Sequence, residues 1–519
     1  MMTHADFGSG AAAERRGGSA VVGTRAGGEL LPCRGLSIGR VAVYATATVA
    51  FLLVNKAGLA GNAAFFLVVG AMMLAGPMPA LMGFTGAVLA LTANTAFVAK
   101  TAVFTFSRVF SVALFSARFV VGGSFTWLAS PPFITLTIFC AVAALCSIAT
   151  GYFTAIALIK VLVFWMGMTG FFAFVATIRE RRIDTTEWFV AQTVAIVMLS
   201  VLSLALGVAQ NFKGEKVMHN MYNMAFYHSQ TAGPVFALLI IYLLCVLLFA
   251  RHRNRWVCLP VLGFLAYGLY LTRSRTGLGT VIVGIVLVTG LALAWGRGRR
   301  FAIRLNYPRW TIVAVFLVLA AGAALYEVGT QGGFTAAVVD FLIKSVDNAE
   351  EAVVANILSS RSGLIAASLE NFRESPVIGI GFGVSKTQYF RENATLFYAP
   401  VEKGFLPTAL LEEVGVIGTS AFVLFMATMF VGLVRTRNIP GVAMLASLLV
   451  LNLGEAGLFA LGGHGAYMWL FVMGGILLGD RCTIPVAHRG ARAGVATTGA
   501  MVATRALPVA AGRFGSAPR

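Results

Sequence analysis

The run Leu271 to Gly279, LTRSRTGLG, sets Arg273 and Arg275 on either side of Ser274 and follows them with Thr276. Guanidinium forks bind phosphate oxygens bidentately, and hydroxyls beside them add further donors, so this spacing suits an oxyanion cradle. The plain alternative is a pair of arginines snorkelling from a helix end. A second polar stretch, Asn211 to Thr231, carries Lys213, Lys216, His219 and His228. These side chains suit contact with a phosphate or a sugar. A metal site is the weaker reading because no HExxH-like spacing accompanies them, and interfacial packing with Tyr222, Phe226 and Tyr227 is the bland one. A third stretch, Arg361 to Gly383, reads RSGLIAASLENFRESPVIGIGFG. Ile365, Leu369 and Phe372 recur at helical spacing, so 361–374 is predicted to be an amphipathic helix along the membrane surface. Ser359 and Ser360 would cap its start and Pro376 would stop it. Gly379, Gly381 and Gly383 then predict a tight turn, without the GxGxxG spacing or βαβ surroundings of a dinucleotide site.

These residues must be positioned by helices. The 519-residue chain is 58% hydrophobic and 11% charged, with a mean hydropathy of +0.85. Soluble domains carry about 25% charged residues, so the composition predicts an all-α polytopic membrane protein. Apolar windows long enough to span ~30 Å of hydrocarbon fall at 39–55, 60–76, 79–99, 132–150, 153–177, 187–209, 231–250, 256–271, 276–295, 311–328, 408–434, 439–460 and 464–479.

The net charge of +19 does not point to nucleic acid, because the basic residues sit beside helix ends. The clusters 179–182, 251–255, 297–300 and 435–437 are short arginine-rich loops, the cytoplasmic signature of the positive-inside rule. With these inside, 210–230, 272–275 and 329–407 lie outside. Tails that share one side require an even number of spans. Twelve follows if 41–76 crosses once; fourteen follows if 102–121 crosses despite Arg108 and Arg118. Charge inside hydrocarbon is costly, which favours twelve. The predicted organisation is a disordered basic tail (1–37), a first helix bundle (38–328), a large outer loop (329–407), three last helices (408–484) and a second basic tail (485–519). No cleavable signal peptide is expected before the first helix. The six cysteines lie in spans or on the predicted inner side and form no disulfide framework.

In order and spacing, four motifs resemble the O-antigen ligase and polysaccharide polymerase superfamily of bacterial inner membranes. They are His228-Ser229-Gln230-Thr231-Ala232-Gly233, Ser274-Arg275-Thr276-Gly277, the Arg-led helix from Arg361 to Gly381, and Glu413-Val414-Gly415-Val416-Ile417-Gly418. The resemblance covers about 210 to 435. It implies inverting transfer of a glycan from undecaprenyl pyrophosphate to an acceptor hydroxyl, with no metal, cofactor or nucleotide sugar. Arg275, Arg273, Lys216 and Arg361 would hold the pyrophosphate. Partners would be the lipid-linked glycan, the bilayer and other polysaccharide-assembly proteins. The family places a His just before the helix that follows the large loop. This chain has no His between His252 and His464, and Glu402 stands nearest that place. As a general base Glu402 needs burial to raise its carboxyl from about 4.3 toward neutrality; His228 is the alternative base. A transporter or flippase for a lipid-linked or anionic glycan is the competing reading. No internal repeat of the kind transporters carry is evident, and Glu455 is the main buried-charge candidate for it.

Overall fold

The computed structural model describes residues 36–99, 102–123, 125–209, 222–250, 254–295, 301–303, 352–394, 403–454 and 457–485. Ten helices precede residue 300: α1 (Ile38–Leu53), α2 (Gly58–Ala75), α3 (Pro77–Thr92), α4 (Ala102–Gly122), α5 (Pro131–Thr150), α6 (Thr154–Arg181), α7 (Thr186–Ala205), α8 (Ser229–Phe249), α9 (Cys258–Thr272) and α10 (Arg275–Trp295). Among the described residues five follow: α11 (Ala352–Glu374), α12 (Gln388–Asn393), α13 (Leu406–Arg435), α14 (Ile439–Asn452) and α15 (His464–Cys482). The sheet among the described residues is a three-residue ladder, β1 (Phe301–Ile303) antiparallel to β2 (Thr483–Pro485). Among the described residues, eight helical stretches are long and apolar enough to cross a membrane. The chain is an all-helical polytopic membrane protein.

α8 is the axis of the bundle, with 89% of its apolar window buried. It is apolar on every side, as a helix surrounded by others must be. The stretch Ile38–Ala75 runs 38 residues but turns back on itself at Val54–Gly58, where Gly58 takes φ 74°. The rings of Phe51 and Phe65 stack at 4.6 Å across that turn. α4 occupies the segment that its arginines argued against and packs between α2, α3 and α6.

The two ends of the bundle differ. At one end Arg40 meets Glu187 at 2.9 Å, Arg179 meets Asp480 at 2.6 Å and Arg481 meets Asp184 at 2.6 Å. The arginine-rich turns after α6 and α13 meet at this end, where Asn438 donates to Asp480, and Asn254 donates to Leu36 O; the predicted clusters at 297–300 and 251–253 lie outside the described residues. The opposite end is built of irregular backbone. α3 stops at Thr92 because Asn94, fully buried, takes over the local polar groups. It accepts from Ala96 N at 3.0 Å and donates to the carbonyls of Val208 and Met224. The predicted span 79–99 is therefore shortened, and 93–99 pairs through Ala93 with Phe226. The span predicted at 439–460 also breaks, at Asn452. The predicted span 311–328 lies outside the described residues.

Candidate functional site

The arginine motif forms the turn between α9 and α10 at the irregular end. Arg273 closes α9 in the left-handed region at φ 51°. Ser274 Oγ accepts from Gly277 N at 3.2 Å, capping α10 with Arg275 as its first residue. Tight contact with α8 explains the glycines of both motifs. A Cβ at Gly233 would stand 2.2 Å from Ser274 Cβ, and one at Gly277 would stand 3.1 Å from Gly233 O. The His228–Gly233 and Ser274–Gly277 motifs are thus two halves of one contact. His228 itself caps α8, its Nδ1 accepting from Gln230 N at 3.1 Å. With that lone pair engaged, the neutral ring offers an Nε2–H donor. The ring suits hydrogen bonding to an oxyanion, and it takes up a proton only by giving up the cap.

Thr276, one residue on, packs against the chain between α14 and α15. A Cβ at Gly454 would fall 1.8 Å from Thr276 Cγ2. This intervening segment is irregular yet buried at Leu458 and Leu461. Leu458 N donates to Asn452 Oδ1 at 2.8 Å, and Trp469 Nε1 donates to Leu458 O at 3.0 Å. Its run of glycines, Gly454, Gly457, Gly462 and Gly463, is a break signal that the apolar window at 439–460 masked.

The second pair of motifs also interlocks. The predicted glycine turn is real, with φ of 72°, 120° and 66° at Gly379, Gly381 and Gly383. Its partner is the middle of α13, where Gly415 leaves the helix at φ 61°, ψ −166°. A Cβ at Gly379 would stand 2.4 Å from Glu413 C, and one at Gly415 would stand 2.3 Å from Val377 O. Four backbone hydrogen bonds join the segments, from Ile380 and Gly381 to Glu412 and Glu413 and from Val416 and Ile417 to Pro376 and Val377. An ionic core sits beside them. Lys403 Nζ lies 3.2 Å from Glu412 and 2.9 Å from Glu413, with all three side chains at most 7% exposed. Lys403 also donates to Val384 O at 3.0 Å, Lys160 donates to Gly383 O, and Glu413 accepts from Gly383 N at 2.8 Å. Asn371 of α11 donates to Glu412 at 2.8 Å. Two ammonium groups match two carboxylates. The sequence reading passed over Lys160 and Glu412; isolated charges in apolar runs gave no spacing to read.

Of the predicted site residues, His228, Arg273 and Arg275 come together at the α8–α10 contact. Arg361 falls within α11, which begins at Ala352 rather than after Ser359 and Ser360. Those serines lie inside the helix and are not its cap. α11 also packs on α13 through Asn371. Glu402, Lys216 and Glu455 lie outside the described residues, as do Lys213 and His219. No family model matches the chain, and no curated protein matches it.

Proposed function

We propose that the chain is a membrane glycosyltransferase that polymerises or ligates a glycan carried on undecaprenyl pyrophosphate. One observation carries the reading: motifs spread from 228 to 418 meet in pairs at a single end of the bundle. In this reaction an acceptor hydroxyl attacks the anomeric carbon and the bond to the pyrophosphate oxygen breaks with inversion. The hydroxyl proton passes to a base, and undecaprenyl pyrophosphate leaves as the anion. Arg275 and Arg273, with Lys216 and Arg361, hold that anion and stabilise its growing charge. Glu402 takes the proton, and His228 donates Nε2–H to the oxyanion; His228 as base is the alternative.

Purified protein supplied with a lipid-pyrophosphate-linked oligosaccharide forms a new glycosidic bond. Arg275→Ala abolishes transfer with normal protein levels, and Arg275→Lys rescues poorly because an ammonium cannot reproduce the fork. Full activity in Arg275→Ala reduces the residue to an anchor. Glu402→Gln lowers transfer by about 10² or more if the carboxylate is the base; an active Gln variant beside a dead His228→Ala assigns the proton to His228.

The turn at Val54–Gly58 and the packing of α4 favour fourteen crossings over twelve when 311–328 is counted. In this topology both tails and the arginine clusters face the cytoplasm of a bacterial inner membrane, and the loop containing α11 faces the periplasm. An impermeant thiol reagent then labels Glu392→Cys and spares Glu180→Cys in intact cells. The broken chain after α14 gives the transporter reading a specific foothold, since transport sites use interrupted helices. Movement of the lipid-linked glycan across vesicles without bond formation would decide for it.

A further inference from the structure

α1, α2, α3 and α7 enclose an apolar cavity of about 300 Å³, at the small end of the ~300–1,000 Å³ that ligand pockets span. Tyr44, Thr48 and Phe51 of α1 line it from one side, and Val68 of α2, Gly86 of α3 and Trp188 of α7 complete the wall. The α1 residues recur at i, i+4 and i+7, so they share one helix face. That face begins at Arg40, one turn before Tyr44, where Arg40 pairs with Glu187 at the basic end. From Arg40 to Leu52, the last α1 residue of the wall, the helix rises about 18 Å at 1.5 Å per residue. That is close to the depth of one leaflet, half of the ~30 Å of hydrocarbon. The rings of Tyr44 and Trp188 pack edge to face at 5.7 Å on the Arg40 side, and those of Phe51 and Phe65 stack at 4.6 Å on the other.

The wall engages its own polar groups. Thr48 Oγ1 donates to Tyr44 O at 2.8 Å and accepts from Gln192 Nε2 at 3.1 Å, and Trp188 Nε1 donates to Thr85 Oγ1 at 3.2 Å. A cavity with such a lining stays dry and takes apolar guests. Its mouth opens outward from the bundle: Val68 of the wall is 47% exposed and the neighbouring Leu67 is 74% exposed. Both belong to the apolar stretch Ile38–Ala75, so what faces the mouth is hydrocarbon. Inside there is room, since a Cβ on Gly86 meets nothing within 4 Å. The Arg273–Arg275 turn lies at the opposite end of the bundle, so a chain hung from an anion there enters the other leaflet first.

We propose that this cavity is a lipid site that holds one acyl chain of a phospholipid from the leaflet at the basic end. The chain enters beside Val68, lies along the Tyr44–Leu52 face of α1 and fills the space over Gly86. Recognition is of the chain and not of the headgroup, because Arg40 already meets Glu187 and the wall presents no unengaged donor among the groups named. The site is separate from the arginine turn, and its test needs no glycosyl transfer.

The test fills the cavity from within. Gly86→Leu puts a side chain into open space, and Ala47→Phe does so from the α1 side should the first variant fail to accumulate. The full chain is reconstituted in nanodiscs of phosphatidylcholine with chains brominated near their middle, which quench an indole they touch. Trp188 fluorescence, taken as the difference between wild type and Trp188→Phe, is quenched in the wild type and spared in Gly86→Leu. In native mass spectra the delipidated wild type takes up one tightly held phosphatidylcholine or phosphatidylglycerol alike, and Gly86→Leu loses it. Added phospholipid raises the unfolding temperature of the wild type in detergent, whereas Gly86→Leu matches the lipid-loaded value without it, which a merely damaging substitution would not do. Equal quenching of Trp188 in both proteins, or equal lipid retention, overturns the proposal. Uptake of phosphatidylglycerol but not phosphatidylcholine overturns recognition by the chain, and preferential uptake of a polyprenyl phosphate overturns the phospholipid identity. A wild type that takes up no lipid and dimerises, beside a monomeric Gly86→Leu, gives the cavity to a second copy and overturns the lipid site. A monomer whose Trp188 is indifferent to the brominated chains does the same in favour of another segment of the chain.

Discussion

At the α11–α13 crossing, Gly379 and Gly415 let two backbones touch, and Lys160 and Lys403 meet Glu412 and Glu413. At the α8–α10 crossing, Gly233 gives the same closeness to Ser274, and His228, Arg273 and Arg275 stand on the two segments that meet there. The backbone device is shared, and the charge is not. Matched buried charges satisfy one another and present little field to a ligand, so the first crossing holds the large loop against the bundle. The second crossing carries the arginines and the histidine on which the proposed function rests.

The largest expected effect breaks the first crossing. Gly415→Val adds a branched side chain where φ is 61° and where a Cβ already stands 2.3 Å from Val377 O. It should cost more than about 3 kcal/mol and leave no folded protein by fluorescence-detected size exclusion. A monodisperse Val variant would mean that the two segments do not cross. Glu413→Gln comes next. Removing one partner of a buried ion pair costs about 3–5 kcal/mol, and thermal unfolding should register it. Adding Lys403→Met should recover part of the loss, and no recovery would mean that the network is not the latch described.

Gly233→Ala probes the second crossing. A methyl 2.2 Å from Ser274 Cβ must push the arginine turn away from α8, costing about 1–3 kcal/mol. Transfer should fall further than stability does; parallel losses would make this contact as purely structural as the first. The smallest effect is expected at the basic end. Asp480→Asn removes the carboxylate facing Arg179, whose side chain is 50% exposed. Screened surface pairs contribute about 1 kcal/mol or less, so an unfolding shift as large as that of Glu413→Gln would show that the two ends are not different in kind.

Several elements are legible in the sequence alone. α5, α6, α8 and α10 follow from apolar windows, and the arginine loops at one end follow from charge placement. Ser274-Arg275-Thr276-Gly277 was legible as a helix mouth because a cap and a cation beside it are local features. The charge argument said nothing of where α4 would pack, which is against α2, α3 and α6. The break after Asn452 was missed because hydropathy does not distinguish a helix from buried irregular backbone.

By itself the sequence determined the class of the protein and singled out the candidate arginines. Each depends on composition or on residues within a few positions of one another. Only the tertiary structure decided that the glycine motifs are partners in two crossings, that Lys403 turns inward to Glu412 and Glu413, and that Gly454 packs on Thr276. Those contacts join residues far apart in the chain. The physical reason is that a glycine reveals only that something comes close, and the packing of the helices settles what does.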